Sequence, residues 1–150
     1  MPSKKQSGTK LSQYEKQLKE CTFFLDRNLG RKWVAEALRQ AGAQVEVHDD
    51  HLAPDIPDEG WLAFCGERNW IALTLDYRIR YRTSELDALK RNKVKAFLIA
   101  KSGQMNKEKL CELLVRGLPK FVALSLQIPA PFAYRVNPSG GFTRLPLHRS

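Results

Sequence analysis

Three aspartates occupy positions where clustered carboxylates could do chemistry. Asp26 ends the apolar run FFLD, Asp76 ends the run ALTLD, and Asp58 lies in the first turn of a helix predicted between these strands. Ligands bind at the carboxyl ends of parallel strands in open α/β folds, so the three carboxylates should converge there. Because such a cluster repels itself, it either raises a pKa or holds a hard cation such as Mg²⁺ or Mn²⁺. Hydrolysis of a phosphodiester is the reaction that needs this arrangement.

Each of these acids also has a purely structural explanation. Asp26 could simply bond a backbone N–H in the turn after its strand, although the matching position of Asp76 favours a site. For Asp58 the two explanations are evenly balanced, because the helix dipole alone stabilises an acid in a first turn by about 0.3–1 kcal/mol. Asp55 and Glu59 are its local rivals as ligands.

Three polar residues are candidates for a supporting role. Thr74 shares one face of its strand with Asp76, so its hydroxyl could orient the acid or a metal-bound water, but a half-buried strand threonine is equally ordinary. Asn28 either bonds the Asp26 carboxylate or makes an Asx turn. Glu85 begins a helix, where the dipole explanation is preferred unless Asp76 is close enough to share a metal.

A basic segment follows the third aspartate. Arg78, Arg80 and Arg82 alternate with other residues, and Tyr77 and Tyr81 lie between them. Guanidinium groups match phosphates, and tyrosines stack on unpaired bases. The segment is therefore the predicted RNA contact, with an ordinary solvated basic loop as the competing interpretation.

The whole chain is basic. Its 25 Lys and Arg residues outnumber 16 Asp and Glu residues and give a net charge of +9, which favours a nucleic-acid partner over an anionic membrane surface. Residues 26–67 are the exception, with nine carboxylates against four basic residues. The sequence lacks an apolar run of membrane-spanning length and a secretory signal. Its three cysteines are odd in number and widely spaced, which suits reduced thiols in a core better than a disulfide framework. We therefore expect a cytoplasmic protein without membrane association.

Strands and helices alternate along the chain. Strands are predicted at 21–25, 45–48, 70–75 and 94–100, with a strand or packed extended segment at 121–126 and a hairpin of 133–136 with 142–145. Helices are predicted at 12–20, around Trp33–Ala41, around Trp61–Cys65, at 85–92, and from Asn106 to an end at Gly117 and Pro119. Three tryptophans have core spacing: Trp33, Trp61 and Trp70. Since parallel strands need crossovers, this order predicts an α/β protein with helices on both faces of a mostly parallel sheet.

The ordered set of short motifs resembles a known family. It runs F-L-D-x-N-L over 24–29, P-D-E-x-W-L over 57–62 and L-T-x-D over 73–76, and is similar to compact PIN-like domains, including VapC-type toxin ribonucleases, over about residues 22–125. The resemblance implies a three-layer α/β/α fold, Mg²⁺- or Mn²⁺-dependent ribonuclease activity, metal-binding acids at Asp26, Asp58 and Asp76, and an antitoxin protein as partner in a toxin setting. The chain departs from the family pattern in a short span between the first and third strands, and in Arg27, where compact relatives often have a second carboxylate.

Two function classes follow from these observations. The first is an endoribonuclease in which the three aspartates hold the metal and the arginines bind RNA. The second is a noncatalytic module that binds nucleic acid or protein, with the acids as helix and turn caps. A phosphotransfer domain fits less well, because Asp26 lacks the Asp-x-Asp partner. The predicted organisation is a basic extension over 1–20, the PIN-like domain over 21–136 and a tail or hairpin over 137–150, with the oligomeric state, a homodimer included, left open.

Overall fold

A six-stranded sheet with the strand order β2-β1-β3-β4-β5-β6 forms the centre of the molecule. The computed structural model describes residues 13–29, 32–75, 83–100 and 105–147. Its strands are β1 (Thr22–Leu25), β2 (Gln44–Val47), β3 (Ile71–Leu75), β4 (Lys95–Ile99), β5 (Phe132–Val136) and β6 (Phe142–Leu145). The first five pair in parallel, and β6 pairs antiparallel with β5. The predicted mostly parallel sheet is therefore confirmed.

One helix precedes β1, and four others connect successive parallel strands. They are α1 (13–19), α2 (Trp33–Gln40), α3 (Asp58–Arg68), α4 (Thr83–Arg91) and α5 (Lys107–Gln127). Within the described ranges, no helix is both long enough and apolar enough to cross a bilayer.

Helices cover both faces of the sheet. Phe23 and Leu25 point to the side of α2 and α5 and share a buried cluster with Leu38 and Leu114. Phe24, between them on β1, belongs to the opposite cluster, which α3 and α4 complete. This period-two alternation with apolar residues on both sides is typical of a sheet that is buried on both faces. The result is the three-layer α/β/α arrangement expected from the sequence.

Local signals fix where the helices end. Gly42, two residues after α2, has a φ of 97°, and the N–H of Ala43 bonds the carbonyl of Leu38 at 3.0 Å, so this glycine forms a left-handed cap of the helix. Asn69 ends α3 in the left-handed conformation. Pro57 precedes α3, which makes Asp58 the first residue of that helix.

The end of the last helix is where the prediction is wrong. Helix α5 does not end at Gly117 and Pro119, and residues 121–126 are not a strand, because the helix continues to Gln127. Phe121 and Val122 are buried one turn beyond Leu118, so the apolar stripe keeps helical spacing. A short apolar run does not distinguish a strand from a buried helix. The exposed Pro119 is accommodated on the outer face.

The C-terminal hairpin is part of the same sheet. Strands β5 and β6 pair as predicted, and the turn between them is closed by a 2.8 Å bond from the N–H of Asn137 to the carbonyl of Gly141. The ring of Phe142 packs 5.4 Å from that of Phe121 and 5.9 Å from that of Phe97. The hairpin therefore joins α5 and β4 in one core.

The tryptophans differ from one another in burial. Trp61 is buried and Trp70 is partly buried, as core spacing predicts. The prediction is wrong for Trp33, which is 52% exposed. Trp33 is the first residue of α2, and Val34 and Leu38 already fill the inner face of that helix.

Candidate active site

A cavity of about 220 Å³ lies at the carboxyl ends of β1 and β3. Asp26 reaches it from the end of β1, Thr74 from β3, and Asp58 from the start of α3. Asn28 and His48 also line it. The fold therefore brings Asp26 and Asp58 together at the sheet edge where ligands bind in open α/β folds.

A chain of hydrogen bonds holds one oxygen of Asp26. The N–H of Leu75 donates to Asn28 Oδ1 at 3.1 Å, and Asn28 Nδ2 donates to Thr74 Oγ1 at 3.1 Å. The Thr74 hydroxyl in turn donates to Asp26 Oδ2 at 2.8 Å. Thr74 is fully buried, so this hydroxyl has little freedom to turn away. The chain orients the carboxylate from the protein side.

Backbone groups hold the rest of Asp26. Its Oδ1 accepts the N–H of Arg27 at 2.7 Å. Its own N–H donates to the carbonyl of Leu73 at 3.0 Å, which ties the residue to β3. The position of Asp26 is thus fixed by the parallel pairing of β1 with β3.

Asp58 is held by a neighbour one helical turn away. Trp61 Nε1 donates to Asp58 Oδ1 at 2.8 Å, across the i, i+3 spacing that places two side chains on one helix face. The Trp61 ring is stacked 5.9 Å from Phe24 with an angle of 19° between the planes. Core packing therefore fixes the donor that orients this carboxylate.

The electrostatic environment of Asp26 disfavours its charge. Burial raises the pKa of its carboxyl, and the negative charge of Asp58 raises it further, while the bonds from Thr74 and the Arg27 N–H lower it and His48 also lowers it. The raising influences dominate. A cation between two such carboxylates would favour their ionised forms.

The donors at this cavity fit a hard divalent cation. Asp26, Asp58, Asn28 and Thr74 all offer oxygen atoms, and Mg²⁺ is commonly bound by one or two carboxylates together with water and substrate phosphates. Across the parts of the chain that the structure describes, no three His, Cys, Asp or Glu side chains form a metal-binding group. The described acids at the cavity therefore make a carboxylate pair.

Sequence comparisons place the chain in a family. The model of a family described as "PIN like domain" matches residues 21–101, which is more than half of the chain and includes the segments carrying Asp26 and Asp58. The chain belongs to the PIN-like domain family. It is also 28% identical over 120 residues to a Mycobacterium tuberculosis protein named "Putative ribonuclease VapC45", an alignment that covers 77% of this chain and 86% of that protein. No solved structure matches the chain significantly.

Six other predicted site residues of the PIN-like domain are not found at the cavity: two lie elsewhere, and four lie outside the described ranges. Glu59 and Glu85 are not among the described residues that line the cavity. Glu85 is buried, and one of its carboxylate oxygens accepts a bond from the Ser84 hydroxyl at 2.9 Å. The remaining predictions fall on residues outside the described ranges: Asp76, Arg78, Arg80 and Arg82.

Two cavity residues were not predicted to contribute to the PIN-like site. His48 is buried, and its Nδ1 lies 3.2 Å from Asp49 Oδ1. Arg27 Nε pairs with the same Asp49 oxygen at 2.8 Å, and its Nη1 donates to the Pro54 carbonyl. The available signal was the position of His48 directly after β2, since that strand ends at the same sheet edge as β1.

Proposed function

We propose that this PIN-like domain is a Mg²⁺- or Mn²⁺-dependent endoribonuclease, acting as the toxin of a toxin–antitoxin pair. The observation that carries the proposal is the pair of carboxylates, Asp26 and Asp58, facing one cavity at the carboxyl edge of the sheet. The name of the mycobacterial relative supports RNA as substrate. An antitoxin protein is the partner that the toxin role requires.

Asp26 and Asp58 would hold the ion, with Asp76 as a third ligand predicted from sequence. When bound, a divalent ion lowers the pKa of a coordinated water and stabilises the charge that develops on the phosphate. Thr74, itself held by Asn28, fixes the Asp26 carboxylate through Oδ2, and Trp61 fixes that of Asp58 through Oδ1. These three act as positioning residues.

Substrate binding requires cations around the acidic pair. Arg27 lies at the cavity, and its side chain is held by Asp49 and the Pro54 carbonyl, so it presents a fixed positive charge near the scissile phosphate. Arg78, Arg80 and Arg82 remain the predicted grip on the RNA backbone. Guanidinium groups suit this role because their fork matches phosphate oxygens.

Single-turnover cleavage of a mixed-sequence, end-labelled RNA tests the function. We expect cleavage with Mg²⁺ or Mn²⁺ and none with EDTA. Loss of one metal-binding carboxylate should lower the rate by at least about 100-fold, as for other groups that stabilise transition-state charge, in both Asp26→Asn and Asp58→Asn. Asp55→Asn is the matched control, because this exposed acid lies three residues before Asp58 and does not line the cavity.

Cleavage that survives EDTA, or that is equal in Asp26→Asn and wild type, would contradict the proposal. A folded wild-type protein that cleaves no RNA and binds no metal would instead be a noncatalytic PIN-like binding module. The Arg27–Asp49 pair favours that second candidate, since a cation stands beside Asp26 where compact relatives often have a carboxylate.

A further inference from the structure

We propose that Trp33, with Lys32 and Lys107, forms a stacking subsite for an unpaired nucleotide of RNA, next to the carboxylate pair. The inference rests on the proposed function and adds to it the form of RNA that is bound and the residue that receives a base. Three observations support it: the exposure of the Trp33 ring, the positive charge of the two lysines beside it, and the continuity of this surface with the candidate active site.

The ring of Trp33 is not part of the core. Its side chain is 52% exposed, whereas Trp61 is buried and Trp70 is partly buried. Within the described ranges, Trp33 and Leu126 are the large hydrophobic side chains that are exposed. Tryptophan is a residue that binding sites favour, because its large rigid face contacts a ligand with little loss of entropy.

Two ammonium groups accompany this ring. Lys107 Nζ lies 3.9 Å from the centre of the Trp33 ring, and Lys32 Nζ lies 5.5 Å from it. Lys32 precedes α2 and Lys107 begins α5, so two separate elements bring positive charge to this ring. An aromatic platform with flanking cations is the arrangement that binds single-stranded nucleic acid, in which bases stack on the ring and phosphates meet the cations.

The subsite is continuous with the candidate active site. A second cavity, of about 280 Å³, is lined by Trp33, Lys32, Arg27 and Asp26, and Asp26 and Arg27 also line the cavity that holds Asp58. Asp49 lines the second cavity too, but its carboxylate is paired with Arg27 at 2.8 Å. A nucleotide stacked on Trp33 would therefore place a neighbouring phosphate toward Asp26.

Charge also sets the direction in which the RNA leaves the ring. Trp33 also lines a groove of about 910 Å³ between α2 and α5, in which the acids Glu36, Glu108 and Glu112 outnumber the cations Lys107 and Arg116. These acids would repel a phosphate backbone along the groove. The RNA is thus expected to run from Trp33 toward Asp26 and Arg27, and duplex RNA is excluded because its bases are not free to stack on a side chain.

Binding of a fluorescein-labelled, 12-nucleotide, mixed-sequence single-stranded RNA, measured by anisotropy in EDTA, tests the subsite without cleavage. Loss of one stacked base corresponds to roughly 5- to 150-fold in affinity, so Trp33→Leu should weaken binding at least about fivefold, while Trp33→Phe retains most of it. Lys107→Gln should lower the slope of log affinity against log salt by about 0.7, the value for one phosphate contact on a single strand.

Lys109→Gln is the matched control. Lys109 is an exposed lysine in the same helical turn as Lys107, and among the described contacts only Lys107 and Lys32 approach the Trp33 ring. The salt slope of Lys109→Gln should equal that of wild type. Thermal unfolding of each variant checks that the fold is kept, which is expected because Trp33 is half exposed.

The outcomes separate this inference from the proposed function. Equal RNA affinity of wild type and Trp33→Leu would overturn the subsite even if the protein cleaves RNA. Loss of binding in Trp33→Leu with no cleavage by wild type would support the subsite and reject the nuclease. A wild-type dimer that Trp33→Leu converts to a monomer of unchanged RNA affinity would make this surface a protein interface and overturn the subsite.

Discussion

At the scale of single residues, the carboxylate of Asp26 experiences opposing influences. Burial and the nearby charge of Asp58 raise its pKa, and the hydrogen bonds from Thr74 and the Arg27 N–H lower it. Carboxylates in this kind of setting are concentrated at functional sites, where the ligand supplies the missing compensation. Stability and metal binding should therefore be linked at this position.

Replacing Asp26 with Asn should stabilise the metal-free protein. Because the pKa of Asp26 is raised above its ordinary value of 3.8, the native state binds this proton more tightly than the unfolded chain. The free energy of unfolding therefore decreases as pH rises from about 3.8 through the folded pKa. Asn removes that loss, so Asp26→Asn should be more stable than wild type at pH 7.

Urea denaturation in EDTA at pH 3.5 and pH 7 measures this effect. The stability difference between Asp26→Asn and wild type should be larger at pH 7 than at pH 3.5. The Asn side chain keeps an acceptor for the Arg27 N–H, and the Thr74 hydroxyl can donate instead to Asn28 Oδ1, which lies 3.3 Å away. A variant that is less stable than wild type at pH 7 would show that the charge of Asp26 stabilises the fold.

Removing the Thr74 hydroxyl should change both stability and the titration of Asp26. Thr74→Val deletes a donor that lowers the pKa of Asp26 and leaves Asn28 Nδ2 without its acceptor. We expect a loss of about 1–3 kcal/mol in unfolding free energy and a further rise in the pKa of Asp26, read from its side-chain carboxyl signal by NMR. Thr74→Ser keeps the hydroxyl and should titrate like wild type; an unchanged titration in the Val variant would remove Thr74 from the positioning chain.

The sequence predicts the neighbourhood of Asp26 and Asp58 but not what orients them. A strand end and a helix start fix where the two backbones lie: Asp26 follows an apolar run, and Asp58 follows Pro57 at the start of a helical pattern. The bond from Trp61 to Asp58 depends on a rotamer that packing against Phe24 selects. Such a contact has no periodic signature in the sequence.

At the scale of elements, α5 shows how tertiary packing overrides a local breaker. Gly117 and Pro119 are ordinary helix-ending residues, yet the helix runs through both to Gln127. The buried stripe of Leu114, Leu118 and Phe121 supplies more stabilisation than one missing backbone bond removes. The sequence therefore predicts the helix but not its length.

Pro119→Ala should stabilise the protein if the helix is continuous. Alanine restores a backbone donor and avoids the roughly 3 kcal/mol that proline costs in a helix interior. A more flexible unfolded chain offsets about 0.4–1 kcal/mol of this. We expect a net gain of about 2–2.6 kcal/mol in the free energy of unfolding, measured by urea denaturation.

The control for this change is the neighbouring exposed residue. Lys120 occupies the next position of α5. Lys120→Ala changes no backbone donor, so its effect on the free energy of unfolding should stay within about 0.5 kcal/mol. Destabilisation by Pro119→Ala would indicate a real break in the helix at this point.

At the scale of the whole molecule, the sheet is assembled from two parts of the chain. Strands β1 to β4 and their crossover helices build the carboxyl edge that holds Asp26 and Asp58, while β5 and β6 complete the sheet from the C-terminal part of the chain. The alternation of strands and helices predicts the first part well, because each unit has its own apolar period. The pairing of β5 with β4 joins segments more than 30 residues apart in the sequence, and no local sequence pattern predicts this pairing.

Phe142→Ala should lower global stability although it lies near the end of the chain. Its ring packs against Phe97 and Phe121 in the main core, and Phe→Ala costs about 3–5 kcal/mol at fully buried sites. Because Phe142 is only partly buried, we expect about 2 kcal/mol and a single cooperative urea transition. Thr143→Ala, at an exposed neighbouring position, is the control; an effect of Phe142→Ala below 0.5 kcal/mol would make the hairpin an appendage.

The central claim is that Asp26 and Asp58 share one divalent ion. Titration of Mn²⁺ into the RNA-free protein, followed by the electron paramagnetic resonance signal of free Mn²⁺, tests it most directly. Wild type and Asp55→Asn should bind Mn²⁺ equally, while Asp26→Asn, Asp58→Asn and the double variant should all lose the same site. Equal Mn²⁺ binding by wild type and the double variant would contradict the claim.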